Sequence, residues 1–342
     1  MADRKVKTIS KSHWASWQAI FVLAWPLIGW GCHDEIPEGS SKAAQTAINS
    51  LQDKRPEVRV EDGDGEVPFS GGARGEVGQL CVISHFTDEI RHYANFTVAN
   101  HARYTRRHGY FYHSFIGHLS GKRFLMPGHE DNVRRDGLYW QSFVAIEQAL
   151  SWEKPSSKGL FCDWVLWIDA DAIFTDFDTS VEQLLADWQG RRNFSLADKD
   201  LILSREEIGG DAVINAGVML IRNSERGRYM LHATAARFEG VKDTNWADQR
   251  ALHDYAFSAG TGGWWPNDFA TSRVNLRPEI EVLPQRAMNS FAECPEYMRQ
   301  NAAQDEAAWA WQPGDFVAHY AGWKQDQRVE RMCERATASG AL

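Results

Sequence analysis

Four Asp-x-Asp pairs stand in the chain, Asp62/Asp64, Asp169/Asp171, Asp176/Asp178 and Asp198/Asp200. Two acids two residues apart mean little alone, so their surroundings must rank them. Asp62/Asp64 lie in EDGDGEVPFSGGARG, Asp176/Asp178 in a turn after IFT, and Asp198/Asp200 after a polar loop. Only Asp169 and Asp171 close a continuous apolar run, in W-I-D-A-D-A-I-F. Two carboxylates in a crevice raise each other's pKa unless a cation compensates. Mg²⁺ and Mn²⁺ take oxygen ligands and can hold a diphosphate. The competing reading is that these acids cap a following helix. His319, inside apolar FVAHYAG, is either a packed core histidine or a third ligand, and an imidazole ligand would favour Mn²⁺ over Mg²⁺. Lys324, five residues on, is either an exposed lysine or a cation that neutralises a phosphate.

Other chemistries lack their signatures. There is no G-x-x-x-x-G-K-[ST] loop, no G-x-S-x-G elbow and no His/Cys zinc spacing. A net charge of −9 provides no broad basic surface, which argues against nucleic acid as a partner. Five cysteines in 342 residues are too few for a disulfide scaffold. Hydrophobic residues at 43% and charged residues at 24% describe an ordinary globular chain. The 15 Trp, 17 Phe and 9 Tyr are a surplus that fits both a large core and sugar-stacking platforms.

The elements that must position these residues alternate in type. Gln79–Phe86 reads as a buried strand, followed by a helix that Thr87 caps and Gly109 ends, with Asp88 and Glu89 in its first turn. Gly109–Phe115 is a second strand and Tyr139–Leu150 a second helix. Trp164–Ile168, WVLWI, is apolar throughout, as when both faces of a sheet are covered. Strands at Leu201–Ser204, Val213–Arg222 and Phe316–Gly322 and helices at Ser224–Phe238 and Trp246–Phe257 complete the pattern. Such alternation predicts an α/β sandwich with a mostly parallel central sheet. Its ligand crevice should lie beyond the carboxyl ends of the strands.

The N-terminal part reads differently. Residues 1–13 carry four basic residues and one acid, and residues 14–31 are uncharged, with Asp34, Glu35 and Glu38 beyond them. This asymmetry places the N-terminus in the cytosol. A cleaved signal peptide fits GWGC poorly, and a lipoprotein would want an aliphatic residue where Gly29 stands. The preferred reading is one uncleaved transmembrane signal anchor, short enough for an early secretory membrane. It gives a cytosolic tail at 1–13, an anchor at 14–31, a flexible stem at 32–78, a body at 79–335 and a tail at 336–342. In an oxidising lumen Cys81, Cys162, Cys294 and Cys333 could form up to two bridges, leaving Cys32 odd. Asn95-Phe96-Thr97 and Asn193-Phe194-Ser195 would be open to glycosylation.

Six segments together resemble glycosyltransferase family 34: Tyr93–Tyr110, Trp164–Asp176 (WVLWIDADAIFTD), Ile214–Ser224 (INAGVMLIRNS), Trp246–Leu252 (WADQRAL), Leu283–Phe291 (LPQRAMNSF) and His319–Lys324 (HYAGWK). Their order and spacing carry the resemblance, which runs from about Cys81 to Trp323. It implies a GT-A, Rossmann-like nucleotide-diphospho-sugar transferase fold, retention of anomeric configuration, and Mn²⁺ or alternatively Mg²⁺ as cofactor. Asp169, Asp171 and His319 would be the metal ligands. Asp248 and Gln249 would be the catalytic pair beside the transferred sugar. Ala170, Asn215, Ala216, Gly217 and Gly322 would line the donor site, and Lys324 would contact the diphosphate. The donor would be UDP-galactose, UDP-xylose or GDP-mannose, and the acceptor an oligosaccharide or glycoprotein. The setting would be a Golgi or ER membrane with a single-pass type II topology, and homo- and hetero-oligomers are both open. Two positions depart from the family's pattern. Ala247 stands where many members carry an acid, and Gln141 and Ser142 follow Trp140 where many carry Lys. A lumenal sugar-binding protein and a nucleotide-sugar hydrolase are the alternative readings.

Overall fold

The computed structural model describes residues 78–119, 140–154, 160–207, 213–241, 247–257, 276–292, 306–322 and 325–339. The anchor, the stem up to residue 77, Lys324, Cys32 and Cys294 lie outside the described residues. Among the described residues no helix is long and apolar enough to cross a membrane.

In chain order the strands are β1 (Leu80–Phe86), β2 (Phe111–Ile116), β3 (Trp164–Ile168), β4 (Ala172–Phe174), β5 (Leu201–Glu206), β6 (Val213–Arg222), β7 (Ile280–Leu283), β8 (Ser290–Phe291) and β9 (Val317–His319). The helices are α1 (Arg91–His108), α2 (Gln141–Leu150), α3 (Val181–Arg192), α4 (Glu225–Ala235), α5 (Phe238–Val241), α6 (Ala247–Ala256), α7 (Gln285–Met288) and α8 (Gln325–Ala338). Six strands form one sheet in the order β2-β1-β3-β6-β5-β7, and a second sheet runs β4-β9-β8.

The sheet is mixed rather than simply parallel, because β6 pairs antiparallel with both β3 and β5. The reason is length. Residues 207–212 join β5 to β6, and a parallel crossover needs a dozen residues or more. The other pairings, β1/β2, β1/β3 and β5/β7, are parallel.

All five residues of β3 are buried. Trp164, Leu166 and Ile168 pack with α3 and β9, while Val165 and Trp167 pack with α2, α4 and α6. The strand is therefore the wall shared by two hydrophobic cores, and its uninterrupted apolar run follows from that. Full burial of each such side chain stabilises the fold by about 1.5–3 kcal/mol. Cys81 in β1 is bridged to Cys162, just before β3. Cys333 in α8 is a buried free thiol, raised to about 11 by burial.

Helix α1 ends as its sequence implies, with Gly109 left-handed at φ 73° and its N–H bonded to Thr105 O. Its middle has a further task. Asn100 bonds both the N–H and the C=O of Phe174, at 2.8 and 3.0 Å. His101 Nε2 lies 2.9 Å from Ala172 O. A carbonyl only accepts, so Nε2 carries the proton. Asn100 and His101 thus act on one edge of β4 as a neighbouring strand would, while β9 pairs along the other.

Candidate active site

Asp169 and Asp171 lie in the turn between β3 and β4, so the helix-cap reading of these acids fails. No helix follows until α3. The turn is fastened at three points. Asp169 N–H donates to Gly217 O at 2.9 Å, Ala172 N–H to Asp169 O at 3.1 Å, and Tyr320 N–H to Asp171 O at 2.8 Å. It is therefore bound to β6 on one side and to the end of β9 on the other. Ala170, between the acids, is buried against Phe86, Tyr93 and Ala94.

His319 ends β9, a strand shorter than the 316–322 expected, and the register pairs it with Ala172. Its Nε2 lies 3.2 Å from Asp171 Oδ1 and 3.7 Å from Asp169 Oδ2. Asp169 is oriented by Trp167, whose indole N–H donates to Oδ1 at 2.9 Å. His319 Nδ1 lies 3.0 Å from Asn289 Oδ1 and so donates to it, which leaves Nε2 facing the carboxylates, to donate a proton to Asp171 when the site is empty and to offer a lone pair to an ion once that proton is lost. Gly217 makes room for the ring: a Cβ there would stand 2.3 Å from His319 Cε1.

One ligand atom from each of Asp169, Asp171 and His319 lies within 4.8 Å of the other two. An octahedral ion with bonds of about 2.1 Å places adjacent ligands about 3 Å apart. The 3.2 and 3.7 Å separations are close to that spacing, and two carboxylates with one imidazole suit Mn²⁺. The residues fit the ion.

Without an ion, the site balances its charge from within. Burial pushes the Asp169 carboxyl above its ordinary range, and the charges of Asp171 and Asp248 add to this against the pull of His319. For Asp171 burial acts upward too, but His319 and Arg328 outweigh it and hold the carboxyl well below the usual range. Burial would lower His319, yet Asp171 and then Asp169 raise it. Arg328 of α8 places Nη2 3.1 Å from Asp171 Oδ2, and its Nη1 donates to Tyr93 Oη at 2.9 Å. Asp171 is thus shared, with Oδ1 turned to His319 and Oδ2 to the arginine.

Asp248 and Gln249 begin α6. Asp248 is buried, and burial pushes its carboxyl up to about 7 against the backbone N–H groups of the helix's first turn. Gln249 Oε1 accepts from Ala216 N–H at 3.0 Å. That donor is free because β5 and β6 slip register. Leu203 faces Met219 but Ser204 faces Asn215, so residues 216–218 bulge from the β5 ladder. Asn215 Oδ1 accepts from Gly217 N–H at 2.8 Å.

The structure therefore brings Asp169, Asp171, His319, Asn215, Ala216, Gly217, Asp248 and Gln249 into one connected region. Asn215 and Gly217 support neighbouring groups through their own bonds and close packing. Gly322 lies exposed in the turn after β9, left-handed at φ 76°. Trp167, Glu206, Asn289 and Arg328 were not foreseen. Trp167 and Asn289 stood inside motif segments, WVLWIDADAIFTD and LPQRAMNSF. The other Asp pairs do different work. Asp176 Oδ1 accepts the N–H groups of Asp178 and Thr179 in a turn. Asp200 is buried against Ser224 and Arg226.

Residues 80–330 match the model of the galactosyl transferase GMA12/MNN10 family. A fission yeast protein (Schizosaccharomyces pombe), named "Probable alpha-1,2-galactosyltransferase gmh1", is 24% identical over 218 residues, 56% of each chain. The chain thus spans little more than half the length of that curated relative. Among solved structures, a glycosyltransferase involved in glycosylating the major capsid of PBCV-1 has a TM-score of 0.47 at 15% identity, over 74% of this chain and 98% of that one. The galactosyltransferase LgtC with donor and acceptor sugar analogues has a TM-score of 0.43 at 16% identity, over 77% and 96%. Likeness at that level says nothing of this chain's substrate. The family match alone covers well over half of the sequence, and by it the chain belongs to the galactosyl transferase GMA12/MNN10 family, glycosyltransferase family 34.

Proposed function

We propose that this chain is a metal-dependent, retaining glycosyltransferase with a GT-A fold, taking a sugar from a nucleotide-sugar donor to a glycan acceptor. The observation that carries the reading is the convergence of Asp169, Asp171 and His319 on one point, with Asp248 near enough for its charge to act on Asp169 and Gln249 bonded to Ala216 of β6. Family membership supports the reaction class, and the name of the yeast relative puts UDP-galactose first among donors, ahead of UDP-xylose and GDP-mannose.

Asp169, Asp171 and His319 would hold Mn²⁺. The ion, when bound, neutralises charge on the donor diphosphate and so supplies Lewis-acid help to the leaving group. Trp167 and Asn289 aim two of its ligands. Lys324, adjoining α8, would add a further positive charge to the diphosphate.

The donor's anomeric C–O bond breaks with its electron pair going to the departing phosphate oxygen. The acceptor hydroxyl bonds to the anomeric carbon on the same face and passes its proton to that oxygen. Gln249, a neutral amide, is a poor nucleophile and suits an oxocarbenium-like state better. Asp248, raised to about 7, is partly protonated near neutral pH and favours hydrogen bonding to a sugar hydroxyl over nucleophilic attack.

The setting we propose is a Golgi or ER lumen, with residues 14–31 as the type II anchor. The charge asymmetry around that segment and the Cys81–Cys162 bridge both support an oxidising, non-cytosolic site for the body. The test is release of nucleoside diphosphate by the full chain from each of the three donors, with Mn²⁺ or with EDTA. Metal-dependent release from one donor is expected. No release from any of them would overturn the reading.

A further inference from the structure

Two backbone N–H groups of β6 beside the metal site, those of Ala216 and Gly217, are taken by side-chain amides. Gln249 Oε1 takes that of Ala216, and Asn215 Oδ1 takes that of Gly217. Each amide then has an NH₂ group to place. Asn215 Nδ2 donates to Glu206 Oε2 at 3.1 Å, and Gln249 Nε2 donates to the same oxygen at 3.3 Å. Asn215 Oδ1 also accepts from Asn289 Nδ2 at 2.5 Å, and Asn289 Oδ1 accepts from His319 Nδ1. A single carboxylate oxygen at the end of β5 thus closes a chain of bonds. One branch reaches the amide at the transferred-sugar side, and the other reaches the metal-ligating histidine.

We propose that Glu206 is a positioning residue for glycosyl transfer. It fixes the amide of Gln249 in one orientation and anchors the Asn215–Asn289–His319 relay. This assignment rests on the proposed reaction. Glu206 needs only an oxygen at one place to do this work. Its charge is secondary, because both partners are neutral amides and a carboxamide oxygen accepts the same two N–H bonds. Shortening the side chain withdraws that oxygen even though the charge is kept.

Two conservative variants of the full chain separate position from charge. In steady-state assays with the donor that the wild type uses, Glu206→Gln should keep kcat within about threefold. Glu206→Asp should lose about tenfold or more in kcat with donor KM within about twofold, since the loss falls on the reacting geometry. The reverse order would overturn the assignment, as would wild-type kcat in both variants. Absence of turnover in the wild type with every donor would instead overturn the functional reading, and this assignment with it.

Discussion

His101 and His319 are both buried, and both meet Ala172 of β4. The first reaches its carbonyl from α1, and the second is its partner in the β4/β9 ladder. Burial alone lowers the basicity of an imidazole, and at His101 it prevails: the group falls to about 4 and stays neutral. At His319 two carboxylates reverse the direction. His101 donates one ring N–H to a carbonyl, and its other nitrogen lies 3.5 Å from Tyr112 Oη. His319 donates to Asn289 and turns its other nitrogen, Nε2, towards two acids. Burial and contact with Ala172 are shared, so the charged groups nearby separate a histidine that fastens a strand from one placed among candidate metal ligands.

The largest effect should come from exchanging the two. His319→Ala should weaken Mn²⁺-dependent nucleotide binding by about 100-fold or more, with little change in Tm. His101→Phe should leave that affinity unchanged and cost about 1–3 kcal/mol of stability through the unsatisfied Ala172 carbonyl. Calorimetry and thermal unfolding on the same samples check both. Gln249→Ala should lower kcat by about 100-fold with donor KM nearly unchanged, because its proposed role lies in the transition state. An unchanged kcat would remove Gln249 from the chemistry.

A smaller effect is set by pH. His101 binds its proton near pH 4 when folded and near 6.5 when unfolded, so the unfolded chain takes up more protons between these values. Its contribution is present above about pH 6.5 and is lost as pH falls through about 4, a span of about 3 kcal/mol. Denaturant titrations across this window should show a shallower slope in His101→Phe. An unaltered slope would mean that His101 is not the group responsible. The smallest effect belongs to Asp176→Asn, which alters one turn at the far end of β4 and should leave metal-dependent nucleotide binding unchanged in the same titrations.

Much of this was written locally in the chain. WVLWI is an uninterrupted apolar run and VINAGVMLIR is apolar but for Asn215 and the closing Arg222, and the strands β3 and β6 have the bounds those runs imply. The acids after WVLWI inherit their place from the strand, so the Asp169/Asp171 pair could be ranked above its three rivals. The reversal of β6 was also readable, in the shortness of 207–212. Other features depend on contacts between distant segments. Asn100 and His101 look like ordinary helix residues until β4 lies beside them. Nothing near Arg328 in sequence announces Asp171, and Glu206 acquires its partners only through the β5/β6 register slip. The short strand β9 joins a second sheet because its partners are β4 and β8, which no local pattern specifies.

The central claim is that Asp169, Asp171 and His319 hold one divalent ion that bridges protein and nucleotide. Titration of UDP into the wild type and Asp171→Ala, each with and without Mn²⁺, tests it most directly. If the ion is shared, Mn²⁺ should strengthen UDP binding in the wild type, and that gain should vanish in Asp171→Ala because the two affinities are linked. Full-strength, Mn²⁺-dependent UDP binding in Asp171→Ala would contradict the account.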